Sequence, residues 1–294
     1  MLAIVIPYYK LSFFESTLQS LAAQSNQNFK VFIGDDNSPN SPVEILEKYK
    51  NQFDFDYTKF DVNLGKDNLV QQWNRCIELA KTYEWIMIVG DDDVLDANVV
   101  ASFYKHKSQF EKYNVARFSS CIINEKGDVI SNVYQNPTLE LATDFIFREN
   151  RSSLSEYVFK NTQIKSIGFK QFPLAWFSDI LAVLEFSNFK EIFSINDAMV
   201  SIRISDESIS GTPTNYKLKN KASFDFYYYL LTTKKHHFQS VQFARLLELL
   251  TIYYLSDKKK LNHFYKVSKI YISNFMLVGY FKFIRSFILK ILKK

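Results

Sequence analysis

The sequence predicts an α/β fold, a parallel β-sheet covered by helices, with a helical region after it. Three observations lead there. Strand-like and helix-like segments alternate from residue 1 to about residue 95. One apolar run, Glu84 to Val89, passes directly into Gly90-Asp91-Asp92-Asp93. The charge also changes sign along the chain: residues 1–210 hold 20 Lys and Arg against 28 Asp and Glu, whereas 211–294 hold 16 against 3. Alternating strands and helices are the pattern of parallel strands joined by right-handed crossovers. An unbroken apolar run fits an inner strand covered on both faces.

Each element follows from its local pattern. Ala3 to Pro7 is a short apolar strand that ends in Tyr8-Tyr9-Lys10. Phe14, Leu18, Leu21 and Ala22 recur at helical spacing over 14–23. Lys30 to Gly34 is a second strand, with Asp35-Asp36-Asn37-Ser38-Pro39 at its carboxyl end. Val43 to Tyr49 is a helix, and Phe55 to Phe60 alternates as a third strand. Asn63-Leu64-Gly65-Lys66 turns into an amphipathic helix over 69–81, with Leu69, Trp73, Ile77 and Ala80 on one face. After the aspartates, 114–123 reads as a strand, 124–128 as a hairpin turn and 129–134 as its return strand. Residues 152–160 read as helix. The chain breaks at 172–179, enters a helix over 180–186, carries short strands over 189–203, and is mostly helical from about Asn215.

Three strands therefore end in polar residues: Tyr8-Tyr9, Asp35-Asp36 and Asp91-Asp92-Asp93. In a parallel sheet all three ends fall on one edge, where such folds bind ligands. Aspartates in a loop also serve as turn and cap residues. Three adjacent like charges at a sheet edge need an offsetting charge. A Mn²⁺ or Mg²⁺ ion, completed by waters and substrate phosphates, would supply it.

Composition narrows the function. Hydrophobic residues make up 47% of the chain, enough for one large domain or a domain with an extension. Cys76 and Cys121 lie far apart without CxxC spacing, so they read as core residues in a reducing compartment. Leu2 to Ile6 is too short for a signal-peptide apolar region. His106, His236, His237 and His263 have no zinc-ligand spacing, and neither a Walker A loop nor GxGxxG occurs. The acidic N-terminal part does not fit a nucleic-acid surface.

Taken in order, Ile4-Val5-Ile6-Pro7-Tyr8-Tyr9, Leu18-Gln19-Ser20-Leu21 with Gln24, Val31 to Ser38, Asn63-Leu64-Gly65 and Gly90-Asp91-Asp92-Asp93 resemble the inverting family 2 glycosyltransferases of the GT-A fold. The resemblance covers about residues 1–210. It implies a Rossmann-like mixed sheet with a nucleotide-sugar half over 1–100, an acceptor half over 101–212, and a basic helical extension over 213–294. It also implies transfer of a hexosyl or hexosaminyl unit from a nucleotide sugar, in the first place a UDP-sugar, to a saccharide or lipid-linked saccharide acceptor. Pro7 and Tyr9 would line the nucleotide pocket, and Asp36 would accept from the uracil ring. Asp36 also fits an Asx turn before Ser38, and the roles of Asp35 and Asp36 could be exchanged. Tyr8 also reads as a core aromatic.

In the family the metal region often reads Asp-x-Asp-Asp, and Gly90 stands where the first Asp would be. The resemblance assigns Asp92 to the metal and Asp91 to the ribose or to metal waters. Asp93 fits a metal ligand, a ribose contact or a cap. Inversion needs a base for the acceptor hydroxyl. Asp179, at the start of a helix, matches the family's position, with Glu185 as second candidate and a plain N-cap as the alternative. Arg203 matches a phosphate contact of the closing segment, as does the Ser208-Ile209-Ser210 stretch. The usual His is replaced by Ser205-Asp206, so Arg203 equally fits an exposed partner of Asp206.

Residues 281–294 form a basic, amphipathic pattern. Lys282, Arg285, Lys290, Lys293 and Lys294 fall within half the helix circumference, apolar residues crowd the other half, and Phe283 and Leu289 depart from that division. Such a helix fits either an anionic membrane interface or packing on its own protein. The expected setting is the cytoplasm, at the inner face of the membrane, in bacterial surface-polysaccharide synthesis. A nucleotidyltransferase acting on a sugar phosphate would use the same sheet edge, and a non-catalytic sugar-binding member would share the fold.

Overall fold

The computed structural model describes residues 1–148, 152–206, 208, 215–257 and 260–292. The chain divides into two compact units, 1–171 with 178–212, and 172–177 with 213–294. The expected boundary at 212/213, the pair Ile209-Ser210 and the basic pair Lys293-Lys294 lie outside the described residues.

The first unit is built on one mixed sheet. Strands β1 (Leu2–Tyr8), β2 (Phe29–Asp35), β3 (Phe55–Lys59) and β4 (Trp85–Ile88) run parallel in the order β3-β2-β1-β4. Helices α1 (Phe14–Ala22), α2 (Val43–Tyr49) and α3 (Leu69–Leu79) make the crossovers. Helix α3 starts where the Asn68 side chain accepts the Gln71 N–H, an N-cap that satisfies one otherwise orphaned donor. Strands β1 and β4 are buried on both faces, as their continuous apolar runs require.

The second half completes the sheet with mixed directions. A short pair β5 (Val94–Leu95) precedes helix α4 (Val99–Phe110), then β6 (Val115–Ile123), β7 (Leu139–Leu141), α5 (Ala142–Phe145), β8 (Tyr157–Lys160), α6 (Asn161–Ile167), α7 (Ser178–Phe186) and β9 (Glu191–Arg203). The sheet continues β4-β8-β6-β9-β5, and β7 pairs with β9.

Three sequence expectations change here. Residues 152–160 are not one helix; a single 3₁₀ turn, Leu154–Glu156, leads into strand β8. Tyr157, Val158 and Phe159 are fully buried between β4 and β6, and such residues suit a covered strand more than a helix. Residues 129–134 form no continuous strand; they meet β6 through isolated bridges at Val129 and Tyr134 and through bonds from the Ile130 N–H to Ile122 O and from the Ile122 N–H to Ser131 Oγ. Residues 191–203 form one long strand, whose register against β6 shifts between Phe118 and Ser119.

The second unit contains α8 (Tyr216–Thr233), α9 (Ser240–Ser256), α10 (Leu261–Ser273) and α11 (Leu277–Leu292). Phe177 stacks on Phe226, with ring centroids 4.5 Å apart. Phe283 of α11 is buried against Tyr254, Phe264 and Tyr271.

One buried acid in the first unit has a measurable consequence. Glu156 is 3% exposed and accepts from the Ser120 hydroxyl at 2.8 Å. Burial raises its pKa from 4.5 to about 7, opposed by the Ser120 bond and the Arg117 charge. Between those pH values the unfolded chain has lost this proton and the folded chain keeps it, so stability falls as pH rises. Glu156→Gln keeps an acceptor for Ser120 and removes the titration. Its stability relative to the parent, from denaturant unfolding, should rise between pH 4.5 and pH 8 by at most about 3 kcal/mol; a pH-independent difference would refute this.

Candidate active site

The cleft lies at the carboxyl edge of the parallel strands. Register sets Pro7 beside Gly34 and Tyr8 beside Asp35, while β1 and β4 pair only as far as Val5 and Ile88. Beyond that pair the chain turns at Gly90, and a cleft of about 470 Å³ opens. Pro7, with no N–H to contribute, stands where ladder pairing to β4 has ended. Strand order reverses beside β1, and ligands of wound sheets bind at such a point.

Pro7, Tyr9, Asp36, Asp91, Asp92, Asp93 and Arg203 all line this cleft. Asp179 and Glu185 are not among its lining residues. The two neighbouring acids at the end of β2 divide their work. Asp35 is fully buried, accepts the Ser38 N–H at 2.7 Å and accepts the Tyr57 hydroxyl at 2.6 Å. Asp35 therefore makes the Asx turn. Asp36 faces the cleft and accepts the N–H groups of Leu64 and Gly65 at 2.7 and 2.8 Å, and also the Arg75 guanidinium. A Cβ on Gly65 would stand 2.5 Å from Asp36 Oδ2, so only glycine lets the 63–66 loop come this close. Arg75 is stacked over the Phe60 ring at 4.0 Å and also donates to Val62 O.

The three consecutive aspartates have separate partners. Asp91 Oδ2 accepts the backbone N–H groups of Tyr9 and Lys10, each at 2.7 Å. Burial and the adjacent Asp92 charge push its pKa up to about 7, opposed by those two N–H groups. Asp93 is 4% exposed, and its carboxylate accepts the Arg203 N–H at 2.8 Å and the Ser155 hydroxyl at 2.5 Å. Thr17 donates to its carbonyl. Asp92 is half-buried in the cleft, and its carbonyl accepts Arg203 Nε at 2.9 Å. A Cβ on Gly90 would meet Asp92 Oδ1 at 2.9 Å and Asp93 Oδ2 at 3.0 Å. Gly90 thus leaves room for both carboxylates above one backbone point.

Arg203 is buried, not an exposed partner of Asp206. Its guanidinium donates to the carbonyls of Asp92, Asn124 and Glu125 and to Ser16 Oγ, and stacks 4.7 Å from the Phe13 ring. Tyr8 is a fully buried core residue whose hydroxyl donates to Asn40 O. Tyr9 is 39% exposed at the cleft.

Among the described residues no group of three or more His, Cys, Asp or Glu is arranged to hold a metal alone. A hard cation that takes diphosphate and water oxygens needs only one or two carboxylates. The Asp92 carboxylate above Gly90 fits that requirement, while both oxygens of Asp93 already accept from Arg203 and Ser155.

Asp179 stands in the first turn of α7, where its Oδ1 accepts the Ile180 N–H at 2.9 Å. It is close enough to act electrostatically on Tyr157. The chain entering α7 is strained: Leu174, Ala175 and Phe177 all have positive φ, between 52° and 70°. Non-glycine residues rarely hold that conformation. Glu185 is buried within α7.

Three participants were missed in the sequence reading. Arg75, on the polar side of α3, carried a weak signal through helical periodicity. Trp73 was legible only as an apolar position of α3, and Ser155 carried no signal, because nonlocal packing brings it to the cleft.

These features match known proteins. The profile described as Glycosyl transferase family 2 matches residues 3–172. Residues 1–349 of S. aureus TarS, solved with UDP-GlcNAc, superpose with a TM-score of 0.64 at 17% identity, covering 92% of this chain and 79% of that one. S. aureus TarS in a longer form gives 0.63 at 17% identity, with 92% and 47% coverage. GalNAc-T7, solved with UDP, GalNAc and Mn²⁺, gives 0.55 at 10% identity, with 84% and 54% coverage. No curated protein matches the chain. The chain belongs to glycosyl transferase family 2 and has the GT-A-like mixed α/β fold, so it is a glycosyltransferase.

The partners of Asp93 predict a structural role that separates it from Asp92. Asp93→Ala strands the Arg203 N–H and the Ser155 hydroxyl and should cost about 2–5 kcal/mol. Asp93→Asn, which keeps an oxygen for Arg203, should cost less than half of that. Equal unfolding midpoints for the parent and Asp93→Ala would contradict the assignment.

Proposed function

We propose that this enzyme transfers a hexosyl or hexosaminyl unit from a UDP-sugar to a hydroxyl of a saccharide or lipid-linked saccharide, with inversion. The carrying observation is the convergence of Tyr9, Asp36, Asp91 and Asp92 on one cleft at the strand-order reversal. Neighbours solved with UDP-GlcNAc and with UDP support the donor class, and the neighbour solved with Mn²⁺ supports a divalent cation. Two buried cysteines without a disulfide support a reducing, cytoplasmic setting. Surface-polysaccharide synthesis is the setting that fits a lipid-linked acceptor.

In this reading the base end of the donor lies against the 63–66 loop, which Asp36 holds through the Leu64 and Gly65 N–H groups. Asp91 binds the backbone at Tyr9 and Lys10 and so fixes both side chains at the cleft rim. Asp92, held in place by the structural Asp93 next to it, would hold Mn²⁺ or Mg²⁺, which would neutralise charge on the departing diphosphate. Arg203 acts as a backbone clamp for the aspartate turn, because its donors are already directed to carbonyls. The acceptor oxygen forms the new bond to the anomeric carbon as the bond to the diphosphate oxygen breaks, and Asp179 takes the acceptor proton. Backbone strain just before Asp179 favours this role over simple capping, since strain of about 1–3 kcal/mol per residue collects at functional sites.

Two variants test this reading. Asp92→Ala should keep the parent's unfolding midpoint within about 1 kcal/mol and lose Mn²⁺-dependent UDP-sugar turnover by about 100-fold or more. Asp179→Asn should retain UDP affinity, measured calorimetrically, yet lose transfer by a similar factor. Full transfer by Asp179→Asn would remove Asp179 from the mechanism, and metal-independent turnover by Asp92→Ala would remove the cation.

A further inference from the structure

Helix α11 has two apolar faces, and only one is used by the second unit. Phe283 is 1% exposed and, with Phe287, packs on Tyr254 and Phe264. Phe283, which departs from the sequence pattern, is therefore the residue that anchors the helix. At 100° per residue, Leu277, Phe281, Ile288 and Leu292 line the opposite side. Their exposures are 54%, 70%, 49% and 74%. Val278, in the first turn of α11, and Phe275, between α10 and α11, are 72% and 88% exposed. A helix that only packs on its own protein needs one apolar stripe and a polar outer face.

Charge identifies what the second face meets. From Lys258 to Lys294 the sequence has ten Lys and Arg and no Asp or Glu. Arg285 falls within the outer apolar face, Lys282 lies beside it, and both are exposed. Two copies meeting through such faces would oppose like charges. An anionic lipid surface satisfies both properties: the apolar side chains enter the headgroup–acyl boundary while the cations stay at the phosphates. Among the described residues no helix is long and apolar enough to cross a membrane.

We propose that the outward face of α11 and the α10–α11 turn form an interfacial binding surface for bilayers rich in anionic lipid. Phe275, Val278, Phe281 and Ile288 supply the insertion, and Lys282 and Arg285 select the negative surface. This inference stands on the second unit alone and does not depend on the donor, metal or base assigned above.

The test is flotation of the full chain with vesicles of pure phosphatidylcholine and with vesicles containing 30% phosphatidylglycerol. The parent should float with the anionic vesicles and at least about tenfold less with the neutral ones. The double variant Val278→Asp, Phe281→Asp changes only exposed positions; it should keep the parent's circular dichroism and unfolding midpoint and lose flotation by at least about tenfold. The double variant Lys282→Glu, Arg285→Glu should lose the preference for anionic vesicles. Equal flotation of all three proteins would overturn the proposal. So would failure of the parent to float, or a dimer at sedimentation equilibrium that Val278→Asp, Phe281→Asp converts to monomer.

Discussion

The candidate site depends on the clasp between Asp93 and Arg203. The Asp93 carboxylate holds the Arg203 N–H, and the Arg203 side chain holds the Asp92 carbonyl. The two bonds close a ring between the aspartate turn and the end of β9. Both residues are buried, so the bonds are charge-assisted and shielded from competing water. Removing either partner would leave buried donors or a buried charge unmet, which is the expensive case. The turn is thereby fixed before any substrate arrives, and Asp91 and Asp92 stay together in the cleft despite their mutual repulsion.

The same division between a holding acid and a facing acid recurs at the end of β2. Asp35 is spent on Ser38 and Tyr57 in the interior. Asp36, the first residue after the strand, points away from Asp35's partners and meets the cleft loop. Side-chain alternation along a strand explains why adjacent acids have unlike surroundings. Both ends of the cleft carry a carboxylate tied to backbone N–H groups of a neighbouring segment, Asp36 to Leu64 and Gly65 and Asp91 to Tyr9 and Lys10. Preorganisation of this kind matters where charge develops during reaction, because a fixed site need not reorganise.

The second unit uses aromatic packing where the first uses buried hydrogen bonds. Its helices are joined through Tyr254, Phe264, Tyr271 and Phe283, and Phe177 stacks on Phe226. Aromatic rings give large contact areas with a preferred geometry. That lets a strongly basic helix hold its place through one ring while its outer face stays apolar and exposed.

Local pattern in the sequence determined the parallel strands, their crossover helices and the aspartate turn, because strand and helix periods and turn residues act over a few positions. It also placed Pro7, Tyr9, Asp36 and the acids 91–93 at one sheet edge, since parallel direction alone sends those strand ends together. Only the tertiary structure decided the rest. It inserted Tyr157–Lys160 between β4 and β6, where the sequence had suggested helix. It gave the Asx turn to Asp35, buried Arg203, and turned Phe283 inward. Those outcomes rest on contacts such as Arg203 with Asp93, 110 positions apart, and Ser155 with Asp93, 62 apart. Contacts at that separation leave no periodic trace in the chain, because chain topology sets them and local propensity does not.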